Sequence, residues 1–225
     1  MLFKTRGIVL HHIKFKETSL VVKIFTEEFG LQSYLVNGVR TSRGHAKIAL
    51  YQPLTLLDLV VYKKEQKTLQ RISECKCEIP YKSITSDIRK SAVVMFWAEL
   101  LNKTITDEGL EDREKYRFIR ELLLELDGST EGIENYPVRL AVGLCRYLGF
   151  EIESADTIAD HMMVGNVIEE ELCAYIDTVI NQGVIEKTSN QLRRKALDSL
   201  MSYYNLHLDR FTKMKSTIIL KQVFS

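Results

Sequence analysis

Residues 7–38 read GIVLHHIKFKETSLVVKIFTEEFGLQSYLVNG, and this stretch decides the fold. Segments rich in Val, Ile, Phe and Tyr alternate there with short polar turns, which is the pattern of consecutive β-strands. The turn at Glu17-Thr18-Ser19 is short enough for a hairpin. A second turn, at residues 27–30, ends in Gly30, for which we expect a positive φ. The stretch therefore predicts three strands in succession.

Two more strands are predicted before residue 79. Residues 54–63 are a longer apolar run that suits a strand buried on both faces, and residues 68–78 alternate again. The five predicted strands cover residues 5–15, 20–26, 31–36, 54–63 and 68–78. Five short strands fit a small closed barrel of the OB type better than a sandwich, which usually needs about seven strands. An SH3-like barrel is the alternative.

Beyond Pro80 the period of the apolar residues changes from two to about 3.6, which indicates helices. Ser86 or Asp87 is placed as the first N-cap, and Gly128 and Gly149 end the next two helices. Helices are predicted over residues 116–126, 138–148, 169–181, 190–204 and 214–224, after a first apolar stripe at 92–101. Residues 151–167 are weakly patterned.

The predicted architecture is α+β. A five-stranded OB-fold barrel in residues 1–80 is followed by an all-helical domain in residues 81–225. Charge divides in the same way, because residues 1–80 hold 13 Lys and Arg against 7 Asp and Glu, whereas residues 81–225 hold 18 against 23. A positive barrel is expected to follow a phosphate backbone, as OB folds do when they hold single strands.

Basic residues along the barrel strands and in the Gly- and Ser-containing connection after residue 36 are candidate phosphate contacts. The candidate DNA-binding residues are Arg6, Lys14, Arg40, Arg43 and Lys47. For any single strand lysine, solvation of an exposed face explains the charge equally well. Phe15, Tyr34 and Tyr51 are available to stack on bases, although a core position is the simpler interpretation of each.

The sequence predicts no catalytic residues, cofactor or metal. It lacks both a phosphate-binding loop of the GxxxxGK[ST] type and a GxSxG nucleophile elbow. His11 and His12 are successive strand residues, which are expected to point to opposite faces. Cys75 and Cys77 share a strand face, but Cys145 and Cys173 stand singly in predicted helices, so the usual zinc ligand set is incomplete.

The helical domain carries one candidate partner site. Arg139 and Arg146 lie two turns apart on one predicted helix, with Leu140 and Leu144 beside them. Ion pairs with the abundant acids of this half are one explanation. A basic rim beside an apolar pocket, suited to an acidic and apolar peptide, is the other.

Several motifs, in order and spacing, resemble the bacterial RecO family of recombination mediators. They are Gly7-Ile8-Val9-Leu10, Glu17-Thr18-Ser19, Phe25-Thr26-Glu27, Gly30, Gly38, Arg40, Gln52-Pro53, Arg139-Leu140, Arg146-Tyr147-Leu148-Gly149-Phe150 and Lys215-Ser216. The resemblance implies an N-terminal OB fold and a helical domain. It also implies a non-enzymatic DNA-repair mediator that binds single- and double-stranded DNA and anneals complementary strands without nucleotide hydrolysis.

The resemblance further implies partners. Family members work with RecR, and sometimes RecF, to load RecA onto DNA covered by single-strand-binding protein (SSB). They also bind the acidic C-terminal tail of SSB, and Arg139 matches an arginine of the corresponding family helix. The alternative from a different class is an OB-fold protein-interaction adaptor without significant DNA affinity.

The chain departs from the family pattern at two places. Residues 151–167, where many relatives carry two Cys-x-x-Cys pairs, contain no cysteine, so the zinc module is missing or degenerate. Asn37 stands where relatives often have lysine, which puts the strength of DNA binding in doubt. The sequence begins without a signal peptide and has no bilayer-spanning apolar run, so we expect a cytoplasmic, nucleoid-associated protein with no membrane partner.

Overall fold

A computed structural model of the chain describes residues 1–39, 45–64, 67–106, 110–161, 170–181, 188–209 and 211–225. The chain divides into two compact units. The first comprises Met1–Lys82 and Ile105–Leu124, and the second comprises Ser83–Thr104 and Glu125–Ser225. The domain boundary after residue 80 stays a prediction. In the structure, residues 105–124 pack with the barrel, and we call the first unit the barrel unit and the second the helical unit.

Five strands of the first unit close into a barrel. They are β1 (Leu2–Phe15), β2 (Ser19–Thr26), β3 (Gly30–Val36), β4 (Leu56–Tyr62) and β5 (Leu69–Cys77). The strand order around the barrel is β1-β2-β3-β5-β4. β3 and β5 run parallel, and all other neighbours are antiparallel. This is an OB fold, so the predicted fold class is confirmed.

β1 is the longest strand, and its two halves pair with different neighbours. Residues 2–8 pair with β4, residues 7–15 pair with β2, and a bulge lies between Val9 and His11. Gly7 stands where the two pairings overlap. A Cβ atom at this position would lie 2.5 Å from the Ile24 Cγ2 atom and 3.0 Å from Leu59 Cδ1. The strands approach closely there because Gly7 has no side chain.

Alternation along the strands builds the barrel core. Leu20, Val22 and Ile24 of β2 are at most 3% exposed, whereas Val21 and Lys23 between them are half-buried. The short helix α1 (His45–Ile48) and the 3-10 turn Ala49–Tyr51 follow β3. They bring Tyr51 into the same core, where it is 4% exposed.

Seven helices follow the barrel strands in the part of the chain that the structure describes. They are α2 (Ile88–Thr104), α3 (Arg113–Gly128), α4 (Tyr136–Leu148), α5 (Ala155–His161), α6 (Glu170–Ile180), α7 (Asn190–His207) and α8 (Ser216–Val223). The predicted helices are confirmed. The sequence pattern did not predict α5, which lies within the weakly patterned residues 151–167. None of the described helices is long and apolar enough to cross a membrane.

The two ends of α3 belong to different units. In the barrel unit, Tyr116 packs on Phe25 with ring centroids 6.1 Å apart, and Arg120 donates to the Glu78 carboxylate at 2.6 Å. The core of the second unit centres on α4, which packs against α2, α6 and α7. Trp97 of α2 is fully buried there and donates from Nε1 to the Tyr136 carbonyl at 3.2 Å.

Candidate nucleic-acid interface

The outward side of β1, β2, β3 and β5 forms a mixed apolar and basic face. Two rows of cross-strand neighbours define it by their register. The first row is Ile13, Val21, Leu35 and Arg71, and the second is His11, Lys23, Ser33 and Leu69. Each of these residues lies outside the buried core, and Ile13 is 52% exposed. Apolar contacts and cations side by side are what OB folds use to hold nucleic-acid strands.

The first row leads into a groove of about 430 Å³, here called the basic groove. Its walls come from the end of β3 and the residues just after it, from the end of β4, from β5, and from α1 with the turn after it. The lining residues are Leu35, Val36, Asn37, Val39, Lys47, Leu50, Tyr51, Tyr62, Arg71, Ile72, Ser73 and Cys75. Lys47 and Arg71 are exposed cations, and no carboxylate is among these lining residues. Among the residues that the structure describes, the lining of the basic groove therefore carries positive charge and no negative charge.

A second groove on the barrel, of about 550 Å³, has the opposite character. Its residues from β1, β4, β5 and the β2–β3 turn include the carboxylates of Glu27, Glu28, Asp58 and Glu74. The cations that line it are Lys4, Arg6 and Lys76. Lys76 lies 3.2 Å from the Asp58 carboxylate. Four carboxylates repel a phosphate backbone, so this groove is the poorer candidate despite its size.

Arg6, one of the candidate DNA contacts, uses its charge within the barrel. Its Nε and Nη2 atoms donate to the Glu27 carboxylate at 2.8 and 2.7 Å, and Nη1 lies 3.6 Å from Glu78. The hydrogen bond from Arg6 lowers the pKa of Glu27 despite the opposing effect of burial. A phosphate would have to compete with two carboxylates for this guanidinium, and a DNA contact by Arg6 stays a prediction.

The other candidate DNA contacts fall into two groups. Lys14 is exposed near the end of β1, and Lys47 is exposed in the basic groove. Arg40 and Arg43 lie outside the described residues. The structure thus places Lys47 in a suitable groove, and the roles of all four remain predictions.

The aromatic residues divide between core and surface. Tyr34 and Tyr51 are 1% and 4% exposed, and burial raises the pKa of both hydroxyls. Phe15 is 37% exposed, with the Lys16 ammonium 5.6 Å from its ring centroid. Tyr62, which was not among the sequence candidates, is 42% exposed in the basic groove. The sequence signals that could have identified Tyr62 are strand alternation after the buried Val61 and the two lysines that follow it.

His11 contributes little charge to the outward face at neutral pH. Its ring lies 6.4 Å from that of His12 and nearly parallel to it, next to the bulge in β1. Desolvation and the neighbouring His12 and Lys23 lower the pKa of His11. The imidazole is therefore neutral where the lysines and arginines are charged.

The cysteines do not assemble a metal site in the described parts of the chain. Burial raises the pKa of Cys75, and it raises that of Cys145 to about 12, so both thiols stay protonated. Among the described residues, no three His, Cys, Asp or Glu side chains lie close enough to hold an ion. Because residues 151–167 contain no cysteine, they do not fit the zinc module of the RecO pattern.

Arg139, the central residue of the predicted partner site, is engaged within the helical unit. Its Nη1 and Nη2 atoms donate to the two carboxylate oxygens of Glu125 at 2.6 and 3.0 Å, and its guanidinium lies 4.7 Å from the Tyr136 ring. Arg146 is 66% exposed, with its Nε atom 3.8 Å from Glu151. The Arg139 side chain is therefore fixed by Glu125, whereas the Arg146 side chain is accessible to a partner.

Leu140 and Leu144 are fully buried in the core around α4. A peptide could contact them only if that core opened. Their part in the wall of a peptide pocket stays a prediction. Sequence spacing placed them beside the arginines but did not show which face of α4 was covered.

A shallow depression of about 40 Å³ on the same unit combines apolar and basic side chains. Its lining residues come from the start of α4, from α7 and from α8, with one residue just before α4 and one just after α8. They are Glu134, Pro137, Val138, Asn190, Arg193, Arg194, Leu197, Leu220, Lys221 and Phe224. Arg194 donates to the Lys221 carbonyl at 2.8 Å, which is a neutral acceptor. The sequence search missed these residues because they come from distant segments.

Comparison with known proteins decides the family. A family model described as "Recombination protein O N terminal" matches residues 1–81. A protein named DNA repair protein RecO from Flavobacterium psychrophilum is 33% identical over 240 residues, which cover all of both chains. The chain belongs to the RecO family. Proteins of the same name from Flavobacterium johnsoniae and Phocaeicola vulgatus are 33% and 28% identical, again over the full length of both chains.

Membership of the RecO family confirms the resemblance drawn from the sequence motifs, and it places the chain among DNA repair and recombination proteins. The family model covers the residues that form the OB barrel and its basic groove. The outward face and groove described above are therefore the part of the chain in which to look for nucleic acid.

Proposed function

We propose that this RecO-family protein is a DNA-repair mediator that binds single- and double-stranded DNA through its barrel. It anneals complementary strands without catalysis or nucleotide hydrolysis. Together with RecR, and with RecF if it is used, it helps to load RecA onto SSB-coated DNA. This role would place it with the chromosome in the cytoplasm.

The observation that carries the proposal is the basic groove. Lys47 and Arg71 line it without any carboxylate among its described lining residues, and it joins an outward strand face that carries Lys23. Phosphate binding releases counterions from DNA, so uncompensated cations on an OB face produce affinity without any chemical step. Annealing then needs only neutralisation of two repelling strands.

Salt dependence of DNA binding tests the groove. Replacing Lys47 and Arg71 together with Ala should lower the slope of log affinity against log salt for single-stranded DNA by about 1.4, at about 0.7 per phosphate contact. The measurement is fluorescence anisotropy of a labelled oligonucleotide at several salt concentrations. A triple variant should lower the slope by about 2, because it removes three phosphate contacts. It carries Arg40→Ala, Arg43→Ala and Lys47→Ala.

Lys76→Ala is the matched control, because Lys76 is an exposed barrel lysine paired with Asp58 in the second barrel groove, which four carboxylates line. Its slope should equal that of the unmodified protein. An equal loss in the control and in the Lys47 and Arg71 variant would mean a diffuse effect of net charge. Absence of salt-dependent DNA binding in the unmodified protein would favour the protein-interaction adaptor.

We further propose that the helical unit binds the SSB tail. An acidic peptide with an apolar end and a free carboxylate needs an apolar seat with a guanidinium at its rim. The depression beside Arg194 has this composition, with Leu197, Leu220 and Phe224 next to the cation. Glu134 also lines it, and the Arg193 guanidinium lies 3.9 Å from that carboxylate. The guanidinium of Arg139, by contrast, already donates to both carboxylate oxygens of Glu125, with which a peptide carboxylate would have to compete.

Peptide binding separates the two locations. Arg194→Ala should weaken an SSB tail peptide by about 1.5–3 kcal/mol, the range for a hydrogen bond to a charged group. Titration calorimetry with the peptide measures this, and affinity for bare DNA should stay unchanged. A loss seen only with Arg139→Ala would return the site to the predicted row of Arg139 and Arg146.

A further inference from the structure

Tyr62 is the accessible aromatic residue of the basic groove. It is 42% exposed, whereas Tyr51, which also lines the groove, is 4% exposed and belongs to the core. A flat ligand that covered this ring would bury apolar area and gain hydrophobic free energy. Its position between cations and apolar residues points to a ligand that is both flat and negatively charged.

The surroundings of Tyr62 specify such a ligand. Tyr62 is the antiparallel partner of Arg71, so both side chains stand on the same face. Lys47 lines the same groove, and Leu35 and Ile72 supply apolar wall. A nucleobase is flat and apolar on its faces, and it is flanked by phosphates that Lys47 and Arg71 would pair with.

We propose that Tyr62 is a base-stacking platform, and that the basic groove takes an unpaired base of a single strand rather than a duplex. This inference rests on the proposed DNA-binding function and deepens it. A base in a Watson–Crick pair is stacked on both faces within the duplex and cannot enter a groove. Phosphate contacts alone are shared by both forms of DNA, so selectivity for the single strand comes from the ring of Tyr62.

Anisotropy titrations with three labelled ligands of equal length test the platform. They are an oligothymidine strand, a duplex, and a strand of abasic sites that keeps the phosphates but has no bases. Tyr62→Leu should lower affinity for oligothymidine about fivefold or more, the lower range for loss of one stacked base. Affinity for the duplex and for the abasic strand should change less than twofold.

Tyr62→Phe is the matched control, because it keeps the ring and loses only the hydroxyl, and it should retain oligothymidine binding. Equal losses on all three ligands, or no loss on any, would overturn the platform. If the unmodified protein binds oligothymidine and the abasic strand equally, with a strong salt dependence, the platform fails and the DNA-binding function stands. If it binds none of the three at low salt, both fail.

Discussion

Gly30 occupies a position in the barrel unit where any side chain would be strained and crowded. It begins β3 with φ +61°, and a Cβ atom there would lie 1.9 Å from the Leu110 carbonyl oxygen. Gly30→Ala should therefore lower the free energy of unfolding by about 2–5 kcal/mol, from left-handed strain together with overpacking. Urea denaturation measures the loss.

Gly38→Ala is the control that separates strain from packing. Gly38 has φ +69°, but a Cβ atom there meets no described atom within 4 Å. Its substitution should cost only the left-handed strain, about 1–2 kcal/mol. Equal losses at the two positions would show that crowding of the new Cβ atom against Leu110 adds no cost to the left-handed strain.

Single residues also show where sequence reasoning stops. The pattern correctly predicted the positive φ of Gly30, because glycine at the end of a polar turn is a local signal. It did not show that Arg6 pairs with Glu27, 21 positions away, or that Arg139 pairs with Glu125. A basic residue has the same appearance in a sequence whether its partner is a carboxylate or solvent, so the charge available to a ligand emerges only from the fold.

At the scale of elements, Glu99 connects α2 to the start of α8. Its Oε1 atom accepts from the Lys215 amide at 3.0 Å, and Oε2 accepts from the Ser216 amide and hydroxyl at 2.8 and 2.6 Å. Lys215, the N-cap residue of α8, makes no side-chain capping bond of its own. Glu99 therefore supplies both the cap and the negative charge that a helix N-terminus favours.

Glu99→Gln should release the start of α8 and cost about 1–2 kcal/mol, because one acceptor and the charge are lost. Amide hydrogen exchange followed by mass spectrometry should show faster exchange across Ser216–Val223. Glu121→Gln, an exposed position of α3, is the control and should leave exchange there unchanged. Unaltered protection of α8 in the Glu99 variant would mean that apolar packing alone holds the helix.

The elements themselves were largely predictable. Each strand was placed within three residues of its observed ends, because alternation in β2 or β3 reports burial directly. Helix α5 was missed because its seven residues are too few for a helical period to stand out. The packing of residues 105–124 with the barrel was also unforeseen, since periodicity identifies a buried stripe such as that of Tyr116 without naming what it packs against.

For the whole molecule, carboxylates with lowered pKa values couple stability to pH. The hydrogen bond from Arg6 lowers the pKa of Glu27, and that from Arg139 lowers the pKa of Glu125. Burial opposes the shift at Glu99, but hydrogen bonds from Ser216 and Lys215 outweigh it and lower its pKa as well. One of these groups lies in the barrel unit and two lie in the helical unit, so both units share the dependence.

The sign of that dependence is fixed. Below pH 4.5, the ordinary pKa of these glutamates, the unfolded chain binds protons that the folded chain does not. Stability should be fully present above this pH and should fall as pH drops through the folded pKa values. Each coupled proton adds a slope of at most about 1.4 kcal/mol per pH unit, and less at the half-exposed Glu125.

Urea denaturation at pH 7, 4.5 and 3.5 measures the loss, with circular dichroism for the whole chain. Fluorescence of Trp97, the single tryptophan, reports on the helical unit in which it is buried. Replacing Glu99 and Glu125 together with Gln should lower stability at pH 7 and flatten the fluorescence-detected dependence between pH 4.5 and 3.5. Glu27 and its hydrogen-bonded partner Arg6 lie in the barrel unit, so an unchanged fluorescence dependence in Glu27→Gln would show that the two units unfold separately. A fluorescence profile that stays as steep in the Glu99 and Glu125 variant would assign acid sensitivity to other groups.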